Sequence, residues 1–193
     1  MPSGSDAEYI PLLIAQELNK GKKVTNIVTC NEEVGSGTVA ASGGRFFSDV
    51  EPIPGFTTGS VKNGDPLEGL ADMVDSVIGI NARDDDGAVK SDIKDEISSI
   101  LNEKCREKDV VPILHWVVGS KTGIIDDISE HNLKELQDLG GILVLDECQG
   151  RMDQDMVMDV FTKYNPCVLI TGSKFYRSPP FAGAVLVPPA IMG

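Results

Sequence analysis

The 193-residue sequence is poor in positive charge: 17 Lys and Arg oppose 30 Asp and Glu, which gives a formal net charge of −13. Such an excess of negative charge repels nucleic-acid backbones and anionic membrane surfaces. The sequence also lacks an apolar run near the roughly 18 residues that a membrane-spanning helix needs, and its first residues lack the basic segment of a secretory signal. We therefore expect neither a nucleic acid nor a membrane as a partner, and a cytoplasmic location, with an organellar one left open.

Potential metal ligands are few and scattered. The cysteines are Cys30, Cys105, Cys148 and Cys167. They include no C-x-x-C pair, and the two histidines, His115 and His131, lie in different segments. Because a structural zinc site needs clustered ligands, we expect no metal and no disulfide. We interpret Cys30, Cys148 and Cys167 as small buried apolar residues.

Short apolar runs alternate with stretches of helical periodicity along the chain. The predicted strands are residues 24–30, 77–80, 110–118, 142–145, 168–170 and 184–187. The predicted helices are residues 10–19, 90–108 and 156–161, and a helix that starts after the N-cap Ser129 and stops before Gly140. Strands that are apolar on both faces predict an α/β fold, with a mostly parallel sheet sandwiched by helices. We expect residues 1–193 to form a single domain with a loop-rich stretch at residues 52–66.

Ligands of open α/β sheets bind at the carboxyl ends of the strands, so the residues that follow the strands are candidate site residues. Asp146 follows the strand at 142–145, where a buried carboxylate needs a cationic partner or a metal; an ordinary turn or N-cap aspartate is the alternative. Lys174 follows the strand at 168–170. A lysine desolvated there has a lowered pKa and is a nucleophile toward carbonyl groups, whereas most lysines are simply solvated.

The segment 3–8, with the sequence S-G-S-D-A-E, has two interpretations. Ser5 and Glu8 have the spacing of a helix capping box. A Ser/Gly loop that opens a helix also offers backbone N–H groups, hydroxyls and the positive end of the helix dipole to a phosphate. A separate nucleotide site at residues 35–38 (G-S-G-T) is a weaker alternative, because a third glycine and a G-K-[ST] ending are missing.

A phosphate cradle, a carboxylate for a ring nitrogen and a reactive lysine are together what pyridoxal 5′-phosphate (PLP) requires. On these three segments the sequence resembles the large domain of the fold-type I PLP-dependent enzymes, in the branch of the class V aminotransferases and cysteine desulfurases. Residues 146–149 (D-E-C-Q) match the D-x-x-Q signature of that family, and residues 171–174 (T-G-S-K) match its [ST]-G-x-K signature.

The resemblance implies a role for each matching residue. The implied cofactor-binding residues are Ser3, Gly4, Ser5, Ser120, Asp146, Gln149, Thr171, Ser173 and Lys174. Lys174 is the catalytic residue and forms a Schiff base with PLP. Asp146 pairs with the pyridinium nitrogen, and Gln149 reaches the phenolic oxygen. Thr171 and Ser173 help the segment 3–5 to hold the phosphate, and Ser120 contacts the ring.

The sequence departs from the family pattern in two places. Segment 30–35 has no histidine or aromatic residue to stack on the cofactor; Val34 is the candidate cover, and Glu33 is an unusual neighbour for the ring. The chain also starts at the phosphate loop and stops soon after Lys174, so we expect an incomplete large domain from a protein that is a homodimer at full length. The candidate partners for a substrate carboxylate are Arg45, Arg83, Arg151 and Arg177.

The resemblance implies a PLP-dependent transferase-like or lyase-like enzyme domain that acts on an amino acid or a related amine. The alternative is a non-catalytic remnant of the same fold that serves as a cofactor-binding or interaction module.

Overall fold

The computed structural model describes residues 3–49, 61–106, 108–151, 153–179 and 182–192. Of the predicted loop-rich stretch 52–66, only residues 61–66 lie within this part of the chain. The six strands are β1 Val24–Val28, β2 Val74–Gly79, β3 Val111–Val117, β4 Ile142–Glu147, β5 Cys167–Thr171 and β6 Gly183–Leu186. The helices are α1 Gly4–Ala7, α2 Tyr9–Leu18, α3 Thr38–Ser42, α4 Ile93–Ile100, α5 Glu130–Asp138, α6 Gln154–Tyr164 and α7 Pro189–Met192.

The strands form one sheet in the order β2-β1-β3-β4-β5-β6. The first five are parallel to one another, and β6 pairs with β5 in the antiparallel direction. The chain moves outward from β1 to β2 and then returns to place β3 on the other side of β1. A crevice is expected at such a reversal of strand order, beyond the carboxyl ends of the strands. The predicted fold class is confirmed.

Two apolar layers cover the sheet, which explains why every residue of β1, β3 and β4 is buried. On one face, Leu12 of α2 packs in a cluster with Ile113 and Val144. On the other face, a larger cluster joins Ile97 of α4 and Leu136 of α5 to the strands. Strand residues that contact helices on both sides are mostly apolar. The buried polar exceptions in these three strands are Thr25, Asn26, His115, Asp146 and Glu147.

Several element boundaries differ from the predicted ones: β1 ends two residues earlier, β2 begins three residues earlier, and α6 is longer at both ends. The helix predicted over 90–108 begins at Ile93, and after Ile100 it continues as a π-helical turn over Leu101–Arg106, which keeps both Leu101 and Cys105 buried. Strand β4 extends two residues beyond the predicted end, because Asp146 and Glu147 pair with β5. Asp146 therefore lies within the end of the strand rather than after it.

The predicted capping box at Ser5 and Glu8 is wrong. Helix α1 begins two residues earlier, where the Ser3 hydroxyl accepts the Asp6 backbone N–H at 3.1 Å and donates to the Asp6 carboxylate at 2.5 Å. Glu8 is consequently free of a capping role, and its side chain is buried. The predicted cap at Ser129 is confirmed, and Asn132 completes the capping box there.

The four cysteines are free thiols. Cys30 and Cys167 are fully buried, as predicted, whereas Cys148 is only partly buried. Across the described ranges, no helix is both long enough and apolar enough to span a membrane.

Candidate functional site

A cleft of about 240 Å³ opens at the carboxyl ends of β3, β4 and β5. All nine residues that the resemblance implies as cofactor ligands line this cleft. The sequence segments that supply them are far apart, and the parallel sheet brings them together because its strands end at one edge. Further lining residues are Glu8, Glu33, Val34, Gly35, Ser36, Gly37, Thr38, Val117 and Cys148.

The start of helix α1 forms one wall of the cleft. Gly4 permits this placement, since a Cβ atom at that position would lie 3.1 Å from the Cys148 sulfur. Segment 35–38 approaches the same wall, and a Cβ atom on Gly37 would lie 2.8 Å from the Ser5 Oγ. The two glycine-containing segments therefore belong to one cleft, and residues 35–38 do not form a separate nucleotide site.

Asp146 lies on the floor of the cleft and is 6% exposed. One of its carboxylate oxygens, Oδ1, accepts the backbone N–H of Cys148 at 2.9 Å. Two other titratable residues, Glu8 and His115, are buried beside it, and the ligand-capable atoms of the three side chains lie within 4.8 Å of one another. Asp146 thus belongs to a buried acid–histidine cluster whose two carboxylate residues, Asp146 and Glu8, both line the cleft.

His115 and Glu8 form a buried pair, with Nε2 of the ring 2.6 Å from Oε2 of the carboxylate. Two ligands of one metal ion with bonds of about 2.1 Å lie roughly 3 Å or more apart, so a contact of 2.6 Å is too short for shared metal ligation. The hydrogen-bond geometry of the contact is poor. Burial raises the pKa of Glu8. Burial alone would lower the pKa of His115, but the carboxylates of Glu8 and Asp146 raise it above its ordinary value.

The turn after β5 holds the predicted lysine motif. The Thr171 hydroxyl is buried, donates to the Ala182 carbonyl at 2.9 Å and lies 3.0 Å from the Ser173 hydroxyl. These two hydroxyls face the cleft as a fixed pair. Lys174 lines the cleft as well, but its side chain is exposed, as are the neighbouring Phe175 (68%) and Tyr176 (55%).

Of the two interpretations of Lys174 offered by the sequence, the exposed side chain matches the solvated lysine in the described part of the chain. Lys174 lies beyond the last hydrogen-bonded residue of β5, in a tight turn where the Arg177 backbone N–H donates to its carbonyl at 3.3 Å. Residues 173–177 of this turn are all exposed.

Glu33 also lines the cleft, and the sequence indicates it only as an unusual neighbour for the ring. Its carboxylate is 7% exposed and accepts four hydrogen bonds: from the Ser120 hydroxyl at 2.5 Å, from the Thr122 hydroxyl at 2.5 Å and backbone N–H at 3.0 Å, and from Arg83 Nε at 3.0 Å. Burial would raise the pKa of Glu33, but these hydrogen bonds lower it to about 2. Glu33 is therefore a permanently charged wall residue that has its own cation.

The hydrogen bonds to Glu33 also limit the contacts that Ser120 and Arg83 can make with a ligand. The Ser120 hydroxyl donates to Glu33 and accepts the Ile124 backbone N–H at 3.1 Å, so it has only an acceptor lone pair left for a ligand. Arg83 is paired with Glu33. None of the four candidate arginines lines the cleft in the part of the chain that is described. Val34 is buried and lines the cleft, as a cover for a ring would require.

No protein-family model matches the sequence, and no curated protein matches it. Solved structures match it in fold. Oryza sativa TDC with PLP superimposes with a TM-score of 0.58 at 10% identity, over 97% of this chain and 36% of that one. Mouse CSAD superimposes with a TM-score of 0.56 at 16% identity, over 97% of this chain and 36% of that one. The apo cysteine desulfurase from Thermococcus onnurineus NA1 superimposes with a TM-score of 0.52 at 14% identity, over 98% of this chain and 37% of that one.

The chain therefore has the fold of a part of these larger proteins, and it spans little more than a third of their length. This confirms, at the level of the fold, the resemblance to the large domain of the fold-type I PLP-dependent enzymes.

Proposed function

We propose that the cleft binds PLP and that the chain is the cofactor-binding part of an enzyme acting on an amino acid or a related amine. The observation that carries this proposal is the convergence of three independent motifs on one cleft. Segments 3–5, 146–149 and 171–174 match the family at the sequence level, and all three line the same 240 Å³ space. A chance match of three short motifs would not bring them to one place.

The chemistry of the cleft residues fits the parts of the cofactor. Hydroxyls of Ser5 and Ser173 and the backbone N–H groups at the start of α1 suit a phosphate dianion. Asp146, buried on the floor, suits a protonated ring nitrogen, since a charge-assisted hydrogen bond is strongest where water is excluded. Gln149 offers an amide N–H to a phenolic oxygen. Lys174, with its amine at the mouth, suits the aldehyde.

When bound, PLP supplies an electron sink that stabilises negative charge at the α-carbon of an amine substrate. In the proposal, the residues of this chain bind the cofactor and transfer protons. Lys174 would hold the aldehyde end of the cofactor, and its Nζ, when free, would take or return a proton at the α-carbon of a substrate. Asp146 would hold the proton on the ring nitrogen.

A homodimer at full length is part of the proposal. Exposed Phe175 and Tyr176 border the Lys174 turn, and neighbouring large apolar side chains with high exposure are typical of an interface. A second subunit seated there would desolvate Lys174, which the nucleophilic role requires.

The second candidate function is a non-catalytic module of the same fold. Two observations favour it. Lys174 is exposed. The segment 30–35, where the family carries an aromatic or histidine residue that stacks on the cofactor, instead holds Glu33, which is paired with Arg83. Such a module would keep the cleft without turning over substrate.

Absorbance titration with PLP tests the proposal. We expect the purified chain to develop a near-visible band that saturates at one cofactor per chain. Lys174→Ala should abolish the band, whereas Lys121→Ala, an exposed lysine outside the cleft, should leave it unchanged. A chain that stays colourless, or a band that survives Lys174→Ala, would contradict cofactor binding through Lys174. A saturable band without turnover of any amino acid or amine in a panel would favour the non-catalytic module.

A further inference from the structure

The Glu8–His115 pair is buried beside Asp146, with Glu8 in the lining of the cleft and His115 outside it, and none of the roles proposed for the cleft residues involves the pair. Its two side chains come from the α1–α2 junction and from the centre of β3, and both are completely buried. A buried glutamate and histidine are costly unless they pair, and pairing them in an apolar core brings no stability over apolar residues of the same size. A role in the site is the more direct explanation for their presence.

The charges of the cluster link the pair to Asp146. The titratable groups that act on His115 are Glu8 and Asp146. If all three were in their ordinary charged or neutral forms at neutral pH, two carboxylates would share a buried space with no cation, and repulsion would push a proton onto one of them. A proton on the His115 ring removes this conflict, because one cation then lies between two anions.

The geometry supports this arrangement. Nε2 of the ring lies 2.6 Å from a Glu8 carboxylate oxygen. Both ring nitrogens are buried, and neither makes a hydrogen bond of good geometry among the described residues. One nitrogen of the ring and one carboxylate oxygen of Asp146 lie within 4.8 Å of each other, a separation that a small side-chain movement or a single water can close.

We propose that Glu8 and His115 are positioning residues for Asp146: Glu8 holds a protonated His115, and the His115 cation holds the Asp146 carboxylate in its place at the cleft. In the holoprotein this holds the proton on the ring nitrogen of the cofactor. The cofactor part of the inference rests on the proposed function, whereas the coupling of His115 to Asp146 is a property of the chain without cofactor.

The first experiment uses the chain without cofactor and follows the ring signals of its two histidines by NMR as the pH is raised. His131, which is exposed on α5, serves as the internal reference. We expect His115 to keep its proton well above neutral pH. Glu8→Gln and Asp146→Asn should each lower the pH at which His115 loses its proton, by about one pH unit or more, and should leave His131 unchanged.

Three results would overturn the inference: a His115 ring that is neutral at neutral pH, a His115 titration that Asp146→Asn leaves unchanged, or stoichiometric zinc binding that both Glu8→Gln and His115→Gln abolish. The last result would make the cluster a metal site instead. Because Glu8→Gln retains size and shape, it remains informative if His115→Gln fails to fold.

The second experiment loads PLP that carries ¹⁵N in its ring and measures the nitrogen chemical shift against pH. We expect the ring nitrogen to lose its proton at least about one pH unit earlier in His115→Gln and Glu8→Gln than in the wild type, with His131→Gln as the matched control. An unchanged nitrogen titration would overturn the positioning role. Failure of PLP to bind the wild type would overturn the proposed function and the cofactor part of the inference, and the histidine titration would still decide whether the pair is coupled to Asp146.

Discussion

Asp146 and Glu147 are consecutive residues at the end of β4, and their buried carboxylates lie on opposite faces of the sheet. Asp146 lines the cleft and accepts a backbone N–H. Glu147 shares the other face with Leu145, because successive side chains of a strand alternate, and both of its oxygens are buried without a hydrogen-bond partner in the described structure. Burial and the nearby Asp146 charge raise the pKa of Glu147 to about 7.

Glu147 makes stability depend on pH. Its pKa in the folded chain, about 7, is above the ordinary value of 4.5, so the folded state binds more protons than the unfolded state between these values. Stability should fall as the pH rises through this window, by roughly 3 kcal/mol in total. Glu147→Gln should match the wild type near pH 4.5 and be more stable by about that amount above pH 7.

Urea unfolding at about pH 5 and about pH 8 measures this difference. Glu103→Gln, at an exposed position, is the matched control and should retain the wild-type pH dependence. Equal pH dependence in Glu147→Gln and the wild type would show that Glu147 is ionised, or paired, in the fold.

Glu33 should change the stability with pH in the opposite direction. Its pKa is lowered to about 2, so it stabilises the folded state at neutral pH, and this stabilisation is lost as the pH falls from about 4.5 toward 2. Glu33→Gln also leaves Arg83 without its buried partner, and we expect a loss of about 3 kcal/mol at neutral pH. Denaturant unfolding measures this loss, with exposed Glu68→Gln as the control. A loss no larger than that of the control would refute the structural role of the Glu33 cluster.

Gly37 should affect PLP binding through its close contact with Ser5. A methyl group at position 37 would lie 2.8 Å from the Ser5 hydroxyl oxygen and 3.0 Å from the Phe47 Cβ, so Gly37→Ala should displace the start of α1 and weaken PLP binding about tenfold, near 1.4 kcal/mol. A double-mutant cycle with Ser5→Ala in the absorbance titration isolates the coupling. The combined loss should be smaller than the sum of the two single losses; strict additivity would mean that Gly37 acts elsewhere.

The sequence predicts the parts of the cleft whose chemistry lies in a contiguous segment. Residues 146–149 and 171–174 each carry their signature within four positions, and strands that are apolar on both faces predict the parallel sheet that unites them. The sequence predicts the end of β4 two residues too early, because two consecutive acidic residues are uncommon inside a strand. Here Asp146 and Glu147 remain in the sheet, one toward the cleft and one in the core.

Other features depend on contacts that no local pattern encodes. Glu8 meets His115 only after α1 and β3 pack together, and its spacing from Ser5 resembled a capping box that the structure forms at Ser3 instead. The exposure of Lys174 depends on what packs over the turn after β5. Three of the four hydrogen bonds that the Glu33 carboxylate accepts come from the loop that follows β3 and the fourth from Arg83, all far from Glu33 in the sequence.

Borohydride trapping tests the central claim most directly. Hydride reduction of a C=N bond between a lysine and PLP fixes the cofactor to that lysine as a stable secondary amine, which peptide mass mapping then locates. The account predicts a single phosphopyridoxyl group on the peptide that contains Lys174, at one per chain. A label distributed over surface lysines, or a single label on a different lysine, would contradict it.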